Sequence, residues 1–216
     1  MPQSKFPSFQ RARQPQQIEQ RREAILEAAL VLFQQKGLKN VTLVDIAEKV
    51  GTATSNIYRY FDSREHIYLS VLQRQGSEWE KRAMPALDAL KRKGTAAKVA
   101  EVLTRSFIQS VEYSTLITAA NTVLEKELSP ELVIDFRSGF FERRKRLAQA
   151  LAAALPGTRV EEIFPLTLHI FTHVAGLWPF CHPSSESEKL LKDPAHAHLN
   201  INFEIEMKQF LLRFLK

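Results

Sequence analysis

The chain has 216 residues, of which 44% are hydrophobic, and its 30 Lys and Arg outnumber its 24 Asp and Glu for a net charge of +6. This length suits one large domain or a small module joined to a medium one, and the apolar fraction excludes a wholly disordered chain. The single cysteine, Cys181, excludes an internal disulfide and a cysteine-based zinc finger. Only 7 glycines and 10 prolines are present, too few for the turns of a sheet protein, so the composition favours an all-α fold.

The N-terminal segment is polar and charged rather than apolar. No signal-peptide core follows Met1, and no run of about 18 apolar residues predicts a transmembrane helix. We therefore expect a soluble, cytoplasmic protein. Residues 1–75 hold 11 basic against 7 acidic side chains, and this surplus at one end indicates a polyanionic partner.

Residues 1–16 are rich in Gln, Pro, Ser and Arg and lack periodicity, which predicts a flexible basic arm. The arm either follows a DNA minor groove or is an untethered tail, and the tail is the commoner case for a terminus. From Gln17 to Lys36 apolar residues recur at intervals of three, four and seven. This pattern predicts an amphipathic helix that ends at Gly37.

A second helix is predicted to begin after Thr42, with Asp45 completing an imperfect capping box, and to end at Gly51. Residues 52–54 then form a tight turn, and residues 55–61 form a short third helix. Two helices joined in this way form a helix-turn-helix, in which the first helix braces the second for entry into the DNA major groove.

The third helix has an apolar side and a polar side. Ile57 and Phe61 lie four residues apart and anchor the helix in the core. The outward side chains offer donors for phosphates and base edges: Thr54, Ser55, Asn56, Tyr58, Arg59 and Tyr60.

Further helices are expected along the rest of the chain, about nine in all. The fourth runs from Arg64 to about Arg82 with a bend at Pro85, Pro165 predicts a kink or a short separate helix, and residues 182–199 are predicted to form a polar loop. The remaining helices are predicted over about 95–114, 116–128, 130–155, 160–178 and 200–215.

The first four predicted helices contain a set of residue types at characteristic spacings: Ala28, Ala29, Leu32, Phe33, Gly37, Thr42, Ile46, Ala47, Gly51, Tyr58, Phe61, Ser63, Arg64, Glu65, Ile67 and Leu72. With this set, residues 21–72 resemble the TetR family of bacterial transcriptional regulators. The resemblance implies an all-α fold, with a helix-turn-helix DNA-binding domain over residues 17–64. It also implies an effector-binding and dimerisation domain over residues 65–216.

The resemblance also implies roles for single positions. Thr42 begins the second helix against a phosphate, Tyr58 contacts phosphate, and Phe61 packs inside. Arg64 stands where the family often has lysine, and Tyr60 where it often has histidine. The candidate DNA-binding residues are Thr42, Thr52, Thr54, Ser55, Asn56, Tyr58, Arg59, Tyr60 and Arg64.

The second domain is rich in aromatic residues, which either form its core or line a cavity. The candidate effector-binding residues are Phe107, Asn121, Phe140, His169, His173 and Trp178. Apolar walls with a few polar groups are typical of a small-molecule pocket, and they indicate an amphipathic or aromatic ligand rather than a highly charged one.

Two polar clusters allow a second interpretation. His169 and His173 lie one turn apart, near Cys181 and His182, but no third metal ligand follows at a matching interval, so pocket or core histidines are favoured and no metal is expected. The run Arg143–Arg146 resembles a nucleic-acid patch, yet four successive residues spread around a helix. A solvated helix face is therefore favoured.

Wide apolar stripes on the last two long helices predict a four-helix dimer interface: Val160, Ile163, Leu166, Ile170, Val174, Leu177, Phe203, Met207, Phe210, Leu211 and Phe214. We therefore expect a homodimeric repressor that binds a palindromic operator and is released by a small effector. The alternative is a helix-turn-helix DNA-binding scaffold or activator without an effector. No phosphate loop, nucleophile elbow or zinc-protease motif is present, so neither an enzyme nor a cofactor is expected.

Overall fold

The computed structural model describes residues 15–90, 92–120 and 128–215, and within these ranges the chain is all-α, as predicted. Most of the predicted basic arm and the candidate residue Asn121 lie outside the described residues. Ten α-helices occur in the described ranges: α1 Pro15–Lys36, α2 Leu43–Val50, α3 Thr54–Ile57, α4 Arg64–Asp88, α5 Ala96–Ile108, α6 Val111–Ala119, α7 Pro130–Ala154, α8 Val160–Cys181, α9 Ser185–Leu191 and α10 Phe203–Phe214.

Helix α4 belongs to two cores at once. At its start, Ile67 and Val71 are fully buried where α4 packs against α1, so that α1 to α3 form a bundle on this end. Further along, Trp79 and Leu87 are fully buried where α4 packs against α5, α6 and α7. One continuous helix therefore connects the helix-turn-helix with the second domain.

Helix α8 is the centre of the second domain and packs against α6, α7 and α10. It is the one helix among the described residues whose length and composition would allow it to cross a membrane. Its inner side, which includes Ile170 and Val174, is buried in the domain, as in the core helices of soluble proteins.

Two of the prolines that lie inside helices, Pro85 and Pro165, were predicted to mark breaks. Helix α4 continues through Pro85 to Asp88, and α8 continues through Pro165, so the predicted end of the fourth helix and the separate helix at Pro165 are wrong. Both prolines are exposed, so water can satisfy the carbonyls that lose a helical partner. The neighbouring Leu87 and Leu166 stay buried, and this packing keeps each helix intact.

The predicted helix over 95–114 is two helices, because the chain breaks at Gln109 and Ser110. Arg82 satisfies the break by donating to the Gln109 carbonyl at 2.9 Å and to Ser110 Oγ at 2.8 Å. The predicted loop 182–199 is also more regular than expected. It holds α9 and a 3-10 turn over Pro194–Leu199, and Ser184 and Asp193 cap their N-termini.

The stripes predicted to form the dimer interface are used mostly inside the subunit. Ile163, Leu166, Ile170, Val174, Phe203, Met207 and Leu211 are buried in the single chain. The prediction is therefore wrong for these seven residues as interface contacts, whereas a dimer through α8 and α10 stays a prediction. The stripes looked too wide because α8 is covered on three sides by its own neighbours.

Candidate DNA-binding and effector sites

The start of α2 is held by a complete capping box. The Asp45 amide donates to Thr42 Oγ1 at 3.2 Å, and the Asp45 carboxylate accepts from the Thr42 amide at 2.8 Å. Lys36 lies 2.6 Å from the same carboxylate, and these hydrogen bonds hold the pKa of Asp45 well below its usual range. At the other end Gly51 has φ +79° and donates to the carbonyls of Ala47 and Glu48, as the left-handed end of a helix requires.

Helix α3 is a single regular turn over Thr54–Ile57, and Tyr58 to Tyr60 continue it irregularly, so the predicted helix to Phe61 is too long. Ile57 and Phe61 are buried, as the sequence pattern predicts. They fix one side of the segment in the core, so the other side faces outward.

The outward side carries most of the candidate DNA-binding residues. Ser55, Tyr58 and Arg59 are exposed, and Thr52, Thr54, Asn56 and Tyr60 are half-buried. The Asn56 amide donates to Thr52 Oγ1 at 2.9 Å, which orients its carbonyl side for a further contact. A face with hydroxyls, an amide and a guanidinium suits phosphate and base-edge contacts.

Arg64 anchors the start of α4 to the start of α2. Its Nη1 donates to the Val41 carbonyl at 3.2 Å, and its Nη2 lies 2.6 Å from the carboxylate of Glu65. Thr42 follows Val41 directly and is exposed, so these residues present one polar surface at the junction of the two helices. Arg64 is thus a structural brace as well as a candidate phosphate contact.

Arg22 of α1 holds the C-terminal end of the segment that continues α3. The sequence pattern did not predict this contact. The Arg22 Nη1 donates to the Tyr60 carbonyl at 2.7 Å, and its guanidinium lies 4.4 Å from the centre of the Phe61 ring. This positions Tyr60 and Phe61 from a residue 38 positions earlier. No local spacing signals such a contact.

The second domain contains a cavity of about 180 Å³ between α4, α6, α7 and α8. Its lining is mostly apolar, with two guanidinium groups and two hydroxyl groups: Leu72, Tyr113, Ile117, Ala120, Phe136, Arg137, Phe140, Arg143, Leu168, Phe171 and Thr172. Mostly apolar walls with a few polar groups are the usual make-up of a small-molecule site.

A cluster of aromatic rings packs next to this cavity, and Phe140 and Phe171 are its members in the cavity lining. Phe171 lies 5.2 Å from Phe140 and 5.5 Å from Trp79, measured between ring centres, and Trp79 stacks on Phe107 at 5.0 Å. The Trp79 Nε1 donates to Ser106 Oγ at 2.9 Å, so its polar atom is satisfied inside the core. Burial raises the pKa of Tyr113, which faces Arg143, to about 12, so its hydroxyl stays protonated.

Arg143 is a buried cation at the edge of the cavity, with a side chain only 8% exposed. Its Nη2 donates to the Gln73 carbonyl of α4 at 3.1 Å, and its Nε lies 3.3 Å from the Glu80 carboxylate. It crosses α4 directly over Gly76, where a Cβ would come within 2.6 Å of its Cζ. Only a glycine leaves room for this approach.

The run Arg143–Arg146 is therefore not simply a solvated helix face. Arg144 donates to the Phe164 carbonyl at 3.3 Å, and Arg146 makes two bonds to Glu80 at 2.7 and 3.0 Å. The prediction of a solvated face is wrong for Arg143 in particular. Gly76 on α4 leaves space for its guanidinium, and Glu80 on the same helix supplies the opposite charge.

The candidate effector residues do not come together in one site. Phe140 lines the cavity, whereas Phe107 is fully buried behind it. His169 and His173 face α10, where His173 stacks on Phe210 with ring centres 3.9 Å apart. Trp178 borders a different groove.

That second groove, of about 860 Å³, lies between the end of α1 and the helices α6 and α8. Phe33 and Lys39 border it on the helix-turn-helix side, and Glu112, Thr115 and Trp178 on the other. The Trp178 Nε1 donates to Thr115 Oγ1 at 3.0 Å, so its polar atom is already engaged.

A helix-turn-helix connected by one shared helix to a helical domain with a cavity defines a DNA-binding regulator. The family described as "Bacterial regulatory proteins, tetR family" matches residues 25–71, and the one described as "Tetracyclin repressor-like, C-terminal domain" matches residues 73–216. The chain therefore belongs to the TetR family. It is a transcriptional regulator and not an enzyme.

Curated relatives match over a short segment, and two of them illustrate this. The HTH-type transcriptional repressor KstR2 of Mycolicibacterium smegmatis is 36% identical over 59 residues, which cover 27% of this chain and 29% of that protein. The HTH-type transcriptional regulator RutR of Escherichia coli is 37% identical over 62 residues, or 29% of each chain. The matched part thus spans less than a third of these relatives.

Solved structures match over nearly the whole chain. The multidrug binding protein EbrR complexed with imidazole has a TM-score of 0.61 at 17% identity, covering 97% of this chain and 98% of that one. The regulator FadR from Bacillus subtilis, in complex with stearoyl-CoA, has a TM-score of 0.52 at 15% identity, covering 90% and 99%. At such identities the likeness concerns the fold alone.

Proposed function

We propose that this protein is a homodimeric, cytoplasmic repressor that binds a palindromic operator and is released from it by a small effector. The course of α4 supports release by an effector, because this helix runs from the helix-turn-helix to the cavity. It begins with Arg64 at the polar surface of the helix-turn-helix and passes the cavity at Leu72 and Gly76. A ligand in the cavity therefore contacts the same helix that braces the DNA-binding face.

Each subunit would place α3 in one major groove, with two half-sites about one helical turn or a multiple of it apart. Thr42, Tyr58, Tyr60 and Arg64 are proposed to contact phosphates. The residues proposed to reach base edges are Thr52, Thr54, Ser55, Asn56 and Arg59. The exposure of Ser55, Tyr58 and Arg59 supports their contact with DNA, since exposed side chains reach DNA without rearrangement.

Substitutions at Tyr58 and Arg59 should have different consequences for DNA binding. Tyr58→Phe removes one hydroxyl, so it should weaken binding to all sequences to a similar degree. Arg59→Ala should cost about 1–3 kcal/mol on the preferred site and relax the preference at one base position. Fluorescence anisotropy against duplexes that differ at single positions measures both effects.

The control for both variants is Lys145→Ala, which removes an exposed cation on α7 and should leave DNA binding unchanged. An Arg59 variant with an unaltered base preference would contradict base reading by this segment. A Tyr58 variant that discriminates between sequences would contradict its assignment to phosphate.

The dimer is proposed to form through the outer face of α8 together with α10. From Ile163 to Cys181, α8 contains no Asp, Glu, Lys or Arg, although its outer side is exposed in the single chain. Leu168 and Phe180 on α8 and Ile205 on α10 are exposed apolar residues. An uncharged helix face of this length is unusual for a solvent surface and suits an obligate interface.

The effector is proposed to act by shifting a population of dimers. The ligand is proposed to favour a dimer whose two α3 helices are spaced too widely to enter the major groove on one face of the DNA. If the ligand binds this dimer about 2.7 kcal/mol more tightly than the DNA-binding dimer, operator binding weakens about 100-fold. The coupling is reciprocal, so operator DNA lowers the affinity for the ligand by the same factor. EbrR with imidazole and FadR with stearoyl-CoA, which share the fold, support a small-molecule ligand for the second domain.

The alternative is a DNA-binding scaffold or activator without an effector. Such a protein has no use for a cavity that touches α4, since a solid core would be more stable. The cavity beside Gly76 and Arg143 therefore favours the ligand-responsive repressor.

A further inference from the structure

The charged residues in the described lining of the cavity are both cations. Arg137 and Arg143 contribute guanidinium groups to its lining, and no Asp or Glu is present among its described lining residues. The carboxylate that pairs with Arg143 is that of Glu80, which is shared with Arg146. Arg143, Arg146 and Glu80 together carry one net positive charge, and Arg143 is the member of this group that lines the cavity.

The size of the cavity limits the size of a ligand that Arg143 could bind there. Its volume of about 180 Å³ is close to that of apolar cavities that hold benzene. Phe136, Phe140 and Phe171 supply flat aromatic walls. A ligand with a body the size of one aromatic ring fills this space.

We propose that the cavity binds a small aromatic monocarboxylate and that Arg143 is the residue that recognises its carboxylate. This inference rests on the proposed role of the cavity as the effector site. Arginine binds carboxylates through two parallel N–H bonds, and burial strengthens such charge-assisted bonds. The ligand is therefore an anion with an apolar ring, and not a neutral aromatic compound.

The same contact explains how binding reaches the DNA-binding domain. Arg143 is bonded to the Gln73 carbonyl and the Glu80 carboxylate, both on α4. A ligand carboxylate that takes two of its N–H groups competes with these bonds. Glu80 keeps its two bonds to Arg146, so release of Arg143 leaves no unpaired buried carboxylate. The ligand thus loosens the middle of α4.

The test uses the full-length protein and two matched pairs of probes, benzoate with benzamide and phenylacetate with phenylacetamide. Isothermal titration calorimetry should give a dissociation constant of about 1 mM or tighter for at least one of the acids, given their small size. Each acid that binds should do so at least about tenfold more tightly than its amide, because a hydrogen bond to a charged group is lost in the amide.

Two variants examine the role of Arg143. Arg143→Met should abolish the preference for the acid, whereas Arg144→Met, which removes a neighbouring charge outside the lining, should keep it. Gly76→Ala keeps the charge but forces the guanidinium away from its seat, since its Cβ would lie 2.6 Å from Arg143 Cζ. It should also reduce acid binding, while Gly139→Ala, whose Cβ meets nothing closer than 3.5 Å, should not.

Three results would overturn the inference: equal affinity for acid and amide, an undiminished acid preference in folded Arg143→Met and Gly76→Ala, or no binding of either acid. DNA binding of the unliganded wild type is measured separately. If the unliganded wild type did not bind DNA, the proposed repressor function would be contradicted, whereas the three results above do not contradict that function.

Discussion

Replacing Gly176 by arginine should split the dimer into monomers. Gly176 lies on the exposed side of α8, and a Cβ added there meets nothing within 4 Å in the single chain, so the subunit tolerates a longer side chain. In the proposed interface the charge becomes buried without a partner, at a cost of about 3–5 kcal/mol or a weakening of about a hundredfold or more. Light scattering should show a species of 24.7 kDa where the wild type is twice as heavy.

The matched control is Gly176→Ala, which adds a methyl group without charge and should remain dimeric. Operator binding should fall together with dimerisation in the arginine variant, because a single half-site provides only half of the contacts. If Gly176→Arg remains a dimer at micromolar concentration, or the wild type itself is a 24.7 kDa monomer, this face of α8 is not the interface.

Replacing Trp79 by alanine should lower the free energy of unfolding by about 3–5 kcal/mol. The side chain is fully buried among Phe107, Tyr113 and Phe171, and its removal also leaves Ser106 Oγ without the donor it accepts from. Chemical denaturation at fixed protein concentration measures the loss, since a dimer's stability depends on concentration.

Ile134→Ala provides the comparison, because Ile134 is 65% exposed on α7 and its truncation should change stability by less than about 0.5 kcal/mol. A Trp79 variant as stable as the Ile134 variant would show that the ring cluster is not the core of the second domain.

The helix-turn-helix was predictable because its signals are local. The cap at Thr42, the stop at Gly51 and the buried pair Ile57 and Phe61 each depend on residues within a few positions. The length of α3 was not predictable, because Arg22 of α1 takes the Tyr60 carbonyl.

The effector cavity was only partly predictable, since it is assembled from four helices far apart in the sequence. Phe140 was identified because it is aromatic, whereas Arg143 looked like one of a run of surface charges. Its burial depends on Gly76 and Glu80, more than sixty residues earlier, and no spacing within α7 reports them. Pro85 and Pro165 do not end their helices for a similar reason. Tertiary packing of the neighbouring Leu87 and Leu166 outweighs the loss of one helical hydrogen bond.

Selection of bound duplexes from a random-sequence library, followed by titration of the selected site with and without ligand, tests whether this protein is a ligand-responsive repressor. We expect an enriched inverted repeat with half-sites about one helical turn or a multiple apart, and release of that site by a ligand that fills the cavity. Enrichment of no sequence at low salt would contradict DNA reading by this fold. A selected site whose affinity is unchanged by a saturating cavity ligand would contradict the effector mechanism and favour the scaffold.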